Sequence, residues 1–336
     1  MDRISLVGMG PIAVATGMAL KQANLPGVEI VGTSGDRDAL SAALKKGAID
    51  RAQSSLRSAV SDAQIVIIDA PLHETHDLLE TIGPILADGC VVTDTGTSKK
   101  LVIGWADRYL PKSVSFVAGR PLLKNPPQTI EEADPSVFDG VNYCIISGDS
   151  TPREAVRTVV GLAEKIGAKP LFLDADEHDS YAAAMAHLPM ILSAAYVTAT
   201  AGDDSWRDIH RLAAAEFADF SRFVSNDPQD NESTCLANPE VLVHWIDQII
   251  AELYVFRNHI RDSDQIGDDL LEKFIKAWEA RARWEAGAVV SEQSTDLPSA
   301  SENMAAFFMG RRLSERMRQF TGSSDEKKGL SYRRRR

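Results

Sequence analysis

The opening run "RISLVGMGPIAVATGMALKQA" constrains the fold more than any other stretch of this chain. A short apolar segment ends at Gly8, and Gly10 and Ala13 follow at GxGxxA spacing before a helical pattern begins. The first glycine permits a tight turn, the second lets backbone approach a diphosphate, and a small third residue packs helix against strand. The helix N-terminus adds N–H donors and the positive end of its dipole. With a strand before it and a second strand after it, the motif reads as a dinucleotide site formed by Gly8, Gly10, Pro11, Ile12 and Ala13.

The pattern then repeats. "VEIVGTS", "AQIVIIDAP", "GCVVTDTG" and "VSFVAGRP" are continuous apolar strands, and runs of helical length separate them. Strands of this kind belong to a parallel sheet covered on both faces. "VNYCIIS" and "KPLFLDA" extend the series, and after about Asp174 only helical patterns remain, over 178–201, 204–223, 239–260, 267–286 and 300–319. The expected fold is α/β, an N-terminal Rossmann-type doubly wound parallel sheet (1–174) followed by an all-helical domain (175–320). A basic tail, 321–336, ends in "SYRRRR" and has little to bury, so it is expected to be disordered.

The end of the second strand sets the cofactor expectation, because an acidic side chain there binds the ribose 2′-hydroxyl of NAD. Here Thr33 and Ser34 stand at that place, with Arg37 just beyond. Hydroxyls and a cation suit a 2′-phosphate, so NADP is favoured. NAD stays possible through Asp36. Ala70, Pro71 and Asp94, at the ends of the next two long strands, complete the cofactor edge.

A formal net charge of −12 argues against nucleic acid or an anionic membrane as partner. Cys90, Cys144 and Cys235 are far apart and suggest neither disulfide nor zinc. His73 and His76 lack a third ligand, so no metal is expected. The apolar run at 182–201 is interrupted by His187, Pro189 and small polar residues, and no stretch reads as long enough to span a bilayer. A first segment that enters a strand at once gives no leader pattern, and a cytoplasmic location is expected.

Four segments carry candidate chemistry. "DTGTSKK" and "AGRP" lie at strand ends that should border the nicotinamide. On "WRDIHRLA", Arg207 and Arg211 are four apart and would share one helix face, as an anionic substrate requires. In "MAHLPMILSAA", Pro189 should bend or start a helix, and His187 either bonds a backbone carbonyl or lines a pocket. His178 begins this region, where capping is the first reading and pocket contact the second.

Taken in order, these segments resemble the prephenate and arogenate dehydrogenase family, with its "DxxSxK", "GGHPMAG", "SHLPH" and "FRDxTRIA" motifs. The spacing agrees over roughly residues 3–285. The resemblance implies a Rossmann domain joined to a helical dimerisation domain, a homodimer, and oxidative decarboxylation of a small anionic cyclohexadienol. Carried over by position, Thr97 would bond the reacting hydroxyl, His187 would line the pocket and Arg211, with Arg207 and His178 nearby, would hold the substrate. The family's catalytic histidine is here Arg120, which stays protonated and cannot act as a base at neutral pH. His187 is then the expected base, titrating near 6.5. Ala186, Met190, Leu122, Leu123 and His210 also depart from the family pattern.

Overall fold

The computed structural model describes residues 2–148, 150–224, 227–261 and 269–287. Its first sheet is built from β1 (Asp2–Val7), β2 (Val28–Thr33), β3 (Arg51–Gln53), β4 (Ile65–Ile68), β5 (Val91–Asp94) and β6 (Ser115–Phe116), all parallel in the order β3-β2-β1-β4-β5-β6. Strand order reverses between β1 and β4. Ligands of such sheets bind in the crevice at that reversal, outside the carboxyl ends of the strands.

The central strands β1, β2, β4 and β5 are largely apolar because both faces are covered. Leu6 and Ile67 enter one core with Val14, Leu20 and Phe138, whereas Val7, Val31, Val66 and Ile68 enter the other with Leu79 and Val92. The connections are α1 (Pro11–Gln22), α2 (Arg37–Lys45), α3 (Leu56–Val60), α4 (Leu72–Ile82) and α5 (Lys100–Tyr109). At the turn into α1, Gly8 has φ +93°, and a Cβ there would lie 1.9 Å from the Asp69 carbonyl oxygen. No L side chain fits.

The expectation of one continuous parallel sheet needs correction after Phe116. The chain leaves β6 and forms a second sheet of β7 (Ala118–Pro121), β8 (Asn142–Ile146) and β9 (Lys169–Phe172), in which β7 and β8 are antiparallel. The physical reason lies in the link. Residues 122–141 are proline-rich and contain only a 3₁₀ turn, Pro135–Phe138, so no helix returns the chain for a parallel pairing. Between β8 and β9, α6 (Arg153–Lys165) does provide that crossover.

The helical half begins with α7 (Ala175–Ala182), a π turn (Ala183–His187) and α8 (Leu188–Ala201), which continue one another. Pro189, which has no N–H to donate, directly follows the π turn, where the winding departs from the regular α pattern. Because the π turn keeps this run unbroken, 175–201 forms one helix that is long and apolar enough to cross a membrane by length and composition, contrary to the sequence expectation. The expected helix 204–223 is divided into α9 (Trp206–Ile209), a 3₁₀ turn (His210–Leu212) and α10 (Ala215–Ser221). A further helix, α11 (Pro228–Ala237), starts at Asp227, whose side chain accepts the Gln229 N–H. Then come α12 (Pro239–Arg261) and α13 (Asp269–Glu285).

By internal contacts the chain forms two compact units, Met1–Gln248 and Ile249–Arg336. In the second, Phe256 packs against Phe274 and Lys273 pairs with Glu252 at 2.6 Å. The helix expected over 300–319 and the tail 321–336 lie outside the described residues.

Candidate active site

At the dinucleotide turn, Gly10 is the N-cap of α1 and has no side chain to cap it, Pro11 opens the helix, and Ile12 and Ala13 follow. This is the open, dipole-bearing N-terminus that a diphosphate requires. The residues present therefore fit a dinucleotide. At the end of β2, Thr33 is buried, Ser34 is half-buried and Arg37 is exposed at the first residue of α2. Asp36 is committed elsewhere, because its Oδ1 accepts the N–H groups of Asp38 and Ala39. Ala70 and Pro71 are half-buried between β4 and α4.

Next to this edge lies a buried polar cluster. Asp94 ends β5, and its Oδ2 accepts from Lys99 Nζ at 2.6 Å while Oδ1 accepts from Gly119 N at 3.2 Å. Lys99 Nζ also donates to the Gly119 carbonyl at 2.7 Å. Burial pulls the fully buried Lys99 ammonium below its usual range, against the pull of Asp94. Thr97 is half-buried on the loop between these two residues. Gly119 is required here, since a Cβ would come within 2.8 Å of the Tyr143 ring.

Arg120, next on β7, meets the helical half. Its Nη1 lies 3.4 Å from Nε2 of His178, and Nδ1 of His178 lies 2.8 Å from Oδ1 of Asp179. These neighbours fix the tautomer. Arginine can only donate and a carboxylate only accept, so the neutral ring carries its proton on Nδ1 and its lone pair on Nε2. Burial lowers the His178 pKa, with Arg120 acting in the same direction and Asp179 opposing. Burial alone would raise Asp179, but bonds from His178, Lys99 N–H and Lys100 N–H hold it below the usual carboxylate range.

Two expectations about these histidines change. His178 does not cap its helix; Asp174 does, accepting Glu177 N–H at 2.7 Å, and His178 is buried beside Arg120. His187 is also buried, and its Nε2 has no hydrogen-bond partner among the described residues. Burial, then the charge of Arg120, pushes its pKa down to about 4, well below the expected 6.5. A ring so reluctant to take a proton is poorly suited to serve as the base.

Arg207 and Arg211 do not share a regular helix face. The helix tightens to 3₁₀ at His210, whose Nδ1 donates to the Trp206 carbonyl at 2.9 Å. Both arginines are exposed, and neither has a hydrogen-bond or ion-pair partner among the described residues. Among the described residues, His73 is not grouped with His76 as a ligand. Instead His76, Asp77 and Glu80 bring ligand atoms within 4.8 Å, yet the His76 ring is already bonded to Asp77 and to the Tyr109 hydroxyl, both at 2.8 Å.

Sequence reasoning assigned no role to Asp69 or Lys99 and read Asp179 only as an ordinary helix-start residue. The signal for Asp69 was an acid directly after the apolar run "IVII". Lys99 stood in the quoted "DTGTSK" motif without a function.

Residues 16–171 match the family description "Prephenate dehydrogenase, nucleotide-binding domain", and residues 174–276 match "Prephenate dehydrogenase, dimerization domain". The chain is similar to the prephenate dehydrogenase of Bacillus subtilis, 29% identical over 265 residues that cover 78% of this chain and 71% of that one. It is 26% identical over 234 residues to the cyclohexadienyl dehydrogenase of Zymomonas mobilis, covering 69% and 79%. Among solved structures, the fold is similar to a prephenate dehydrogenase from A. aeolicus in complex with hydroxyphenyl propionate and NAD+. That match has a TM-score of 0.74 at 20% identity, over 84% of this chain and 98% of the other.

Proposed function

The chain belongs to the prephenate dehydrogenase family and is an NAD(P)-dependent dehydrogenase; on that premise we propose that it oxidatively decarboxylates prephenate or arogenate, with NADP preferred over NAD. The observation that carries this reading is the neutral His178, oriented by Asp179 and facing Arg120 beside the cofactor edge. When bound, the nicotinamide supplies the hydride acceptor.

The chain's own groups orient the substrate and handle the proton. Arg120 is a fixed cation in a buried setting, suited to hold a carboxylate or an oxygen that gains negative charge. Once Arg120 turns from His178 to the anionic group of the substrate, His178 Nε2 is free to accept the proton of the ring hydroxyl, and Asp179 stabilises the imidazolium that forms, which replaces the base lost at position 120. Thr97 supplies a hydroxyl to the same ring oxygen. Loss of CO2 and aromatisation drive the reaction. The exposed Arg211 and Arg207 are the cations available to steer an anionic substrate.

Ser34 and Arg37 favour a 2′-phosphate, and Oδ1 of Asp36 is drawn to the N–H groups of Asp38 and Ala39. A homodimer fits the large apolar side chains that each unit exposes, Met185 and Leu212 in the first, Ile260 and Trp284 in the second. The free thiols of Cys90, Cys144 and Cys235 suit a reducing cytoplasm. We also keep 1–174 and 175–320 as functional domains, nucleotide-binding and substrate-binding.

Turnover of prephenate and arogenate with each cofactor tests the reading. His178→Gln should lower kcat on the order of 10²-fold or more while NADPH affinity stays unchanged. Arg120 favours a second reading, a dehydrogenase of a different anionic alcohol. Absence of turnover on both acids would select it.

A further inference from the structure

Asp69 follows the last residue of β4, at the crevice where strand order reverses. Its Oδ2 accepts the N–H of Ala13 at 2.9 Å, in the first turn of α1, and its Oδ1 accepts the Thr95 hydroxyl. A Cβ built on Gly10 would stand 3.0 Å from the same Oδ2. The side chain thus lies directly over the glycine turn. An acid of the chain itself holds one of the amides that this helix end offers to a diphosphate.

That placement is costly once the diphosphate arrives, because like charges at close range in a site shielded from water repel strongly. The groups facing Asp69 do little to offset the repulsion. α1 offers the Ala13 N–H, the β5 end offers Thr95 and a second acid, Asp94, and β8 offers the Tyr143 phenol. Lys99 is engaged by Asp94 and Gly119. Burial, reinforced by Asp94, already raises the Asp69 pKa above the usual carboxylate range.

We propose that Asp69 is a proton-coupled gate on the cofactor site, which takes up a proton as the dinucleotide binds and thereby turns from a competing anion into a hydrogen-bond donor. The idea rests on the nicotinamide-cofactor reading alone and not on the identity of the substrate. As an ionised side chain it holds the turn closed on itself; as a neutral carboxyl it tolerates the diphosphate. Cofactor affinity should then fall with rising pH.

The test is calorimetric titration of the full-length protein with NADPH at pH 8, in two buffers of different ionisation enthalpy, so that protons exchanged per dinucleotide are read directly. The wild type should take up a substantial fraction of one proton, and Asp69→Asn should take up none. NADH, whose diphosphate keeps its charge from pH 6 to 9, should bind the wild type with an affinity that falls by as much as tenfold per pH unit. In Asp69→Asn that slope should vanish, with binding at least tenfold tighter at pH 9. Absence of proton uptake by the wild type at every pH from 6 to 9 would overturn the proposal without need of a variant. So would Asp69→Asn binding NADH more weakly than the wild type at all pH values. Proton uptake in a protein that fails to oxidise prephenate supports the gate and sinks only the substrate assignment.

Discussion

Replacing His187 by asparagine should make the fold less sensitive to acid. His187 is 3% exposed, its Nε2 lacks a partner among the described residues, and burial together with Arg120 brings its pKa down to about 4. In the unfolded chain the same ring titrates near 6.5. Between these values the unfolded state binds the proton and the folded state does not, so stability falls as pH falls from 6.5 toward 4. The gap amounts to about 3 kcal/mol of stability present at neutral pH and lost by pH 4. For units of this size that corresponds to roughly 6–12 °C in Tm. The assay is thermal unfolding by circular dichroism of wild type and His187→Asn at half-unit steps from pH 7.5 to 4. The asparagine costs some stability at every pH, but that cost does not titrate. His178 and Asp179 titrate in both proteins, so the difference between the two curves isolates His187. Parallel curves would show that the ring is solvated or paired in the folded protein and would refute the reasoning.

Two further outcomes follow from the same structure. Arg37→Ala should weaken NADPH binding by ten- to a hundredfold, as expected for loss of a charge-assisted contact of ~1.5–3 kcal/mol, and leave NADH within about twofold; fluorescence titration of both cofactors reads it. Lys99→Met should destabilise the protein by about 3–5 kcal/mol, because Asp94 is left charged and buried, and Asp94→Asn in the same chain should recover part of that loss; urea unfolding of the single and double variants measures it.

The parts of this molecule that are local in sequence were legible there. Gly8, Gly10 and Ala13 announced the turn because its backbone demands and its helix N-terminus lie within a few residues of one another. Five of the six strands of the first sheet followed from apolar runs buried on both faces, whereas β3, a short and largely exposed Arg-Ala-Gln edge, was not read. The antiparallel β7 was not foreseen, since its direction depends on the absence of a helix in 122–141. The polar cluster was hidden for a different reason. Asp179 was read as an ordinary helix-start residue, and it does serve a helix start, but that of α5, reaching the N–H groups of Lys99 and Lys100 across 80 and 79 positions. Asp69 meets Ala13 across 56 positions. No spacing rule links such pairs. The histidines were recognised as important, yet their neighbours decided their states: Asp179 and Arg120 set the tautomer of His178, and enclosure kept His187 neutral.

The π turn at Ala183–His187 determines which way the two histidines look relative to each other. His178 and His187 are nine positions apart, and a regular α-helix advancing about 100° per residue would set them about 180° out of phase, on opposite sides of the rod. A π turn is in effect one surplus residue wound into the helix, and it takes back about 100° of that rotation. Both rings can then address the side occupied by Arg120, whose charge acts on each of them. The turn is therefore a phase shifter. A single-residue deletion within it would remove the surplus residue and leave the histidines eight positions, again about 80°, apart, whereas rewinding the same residues as regular α-helix would set the two imidazoles on opposite sides.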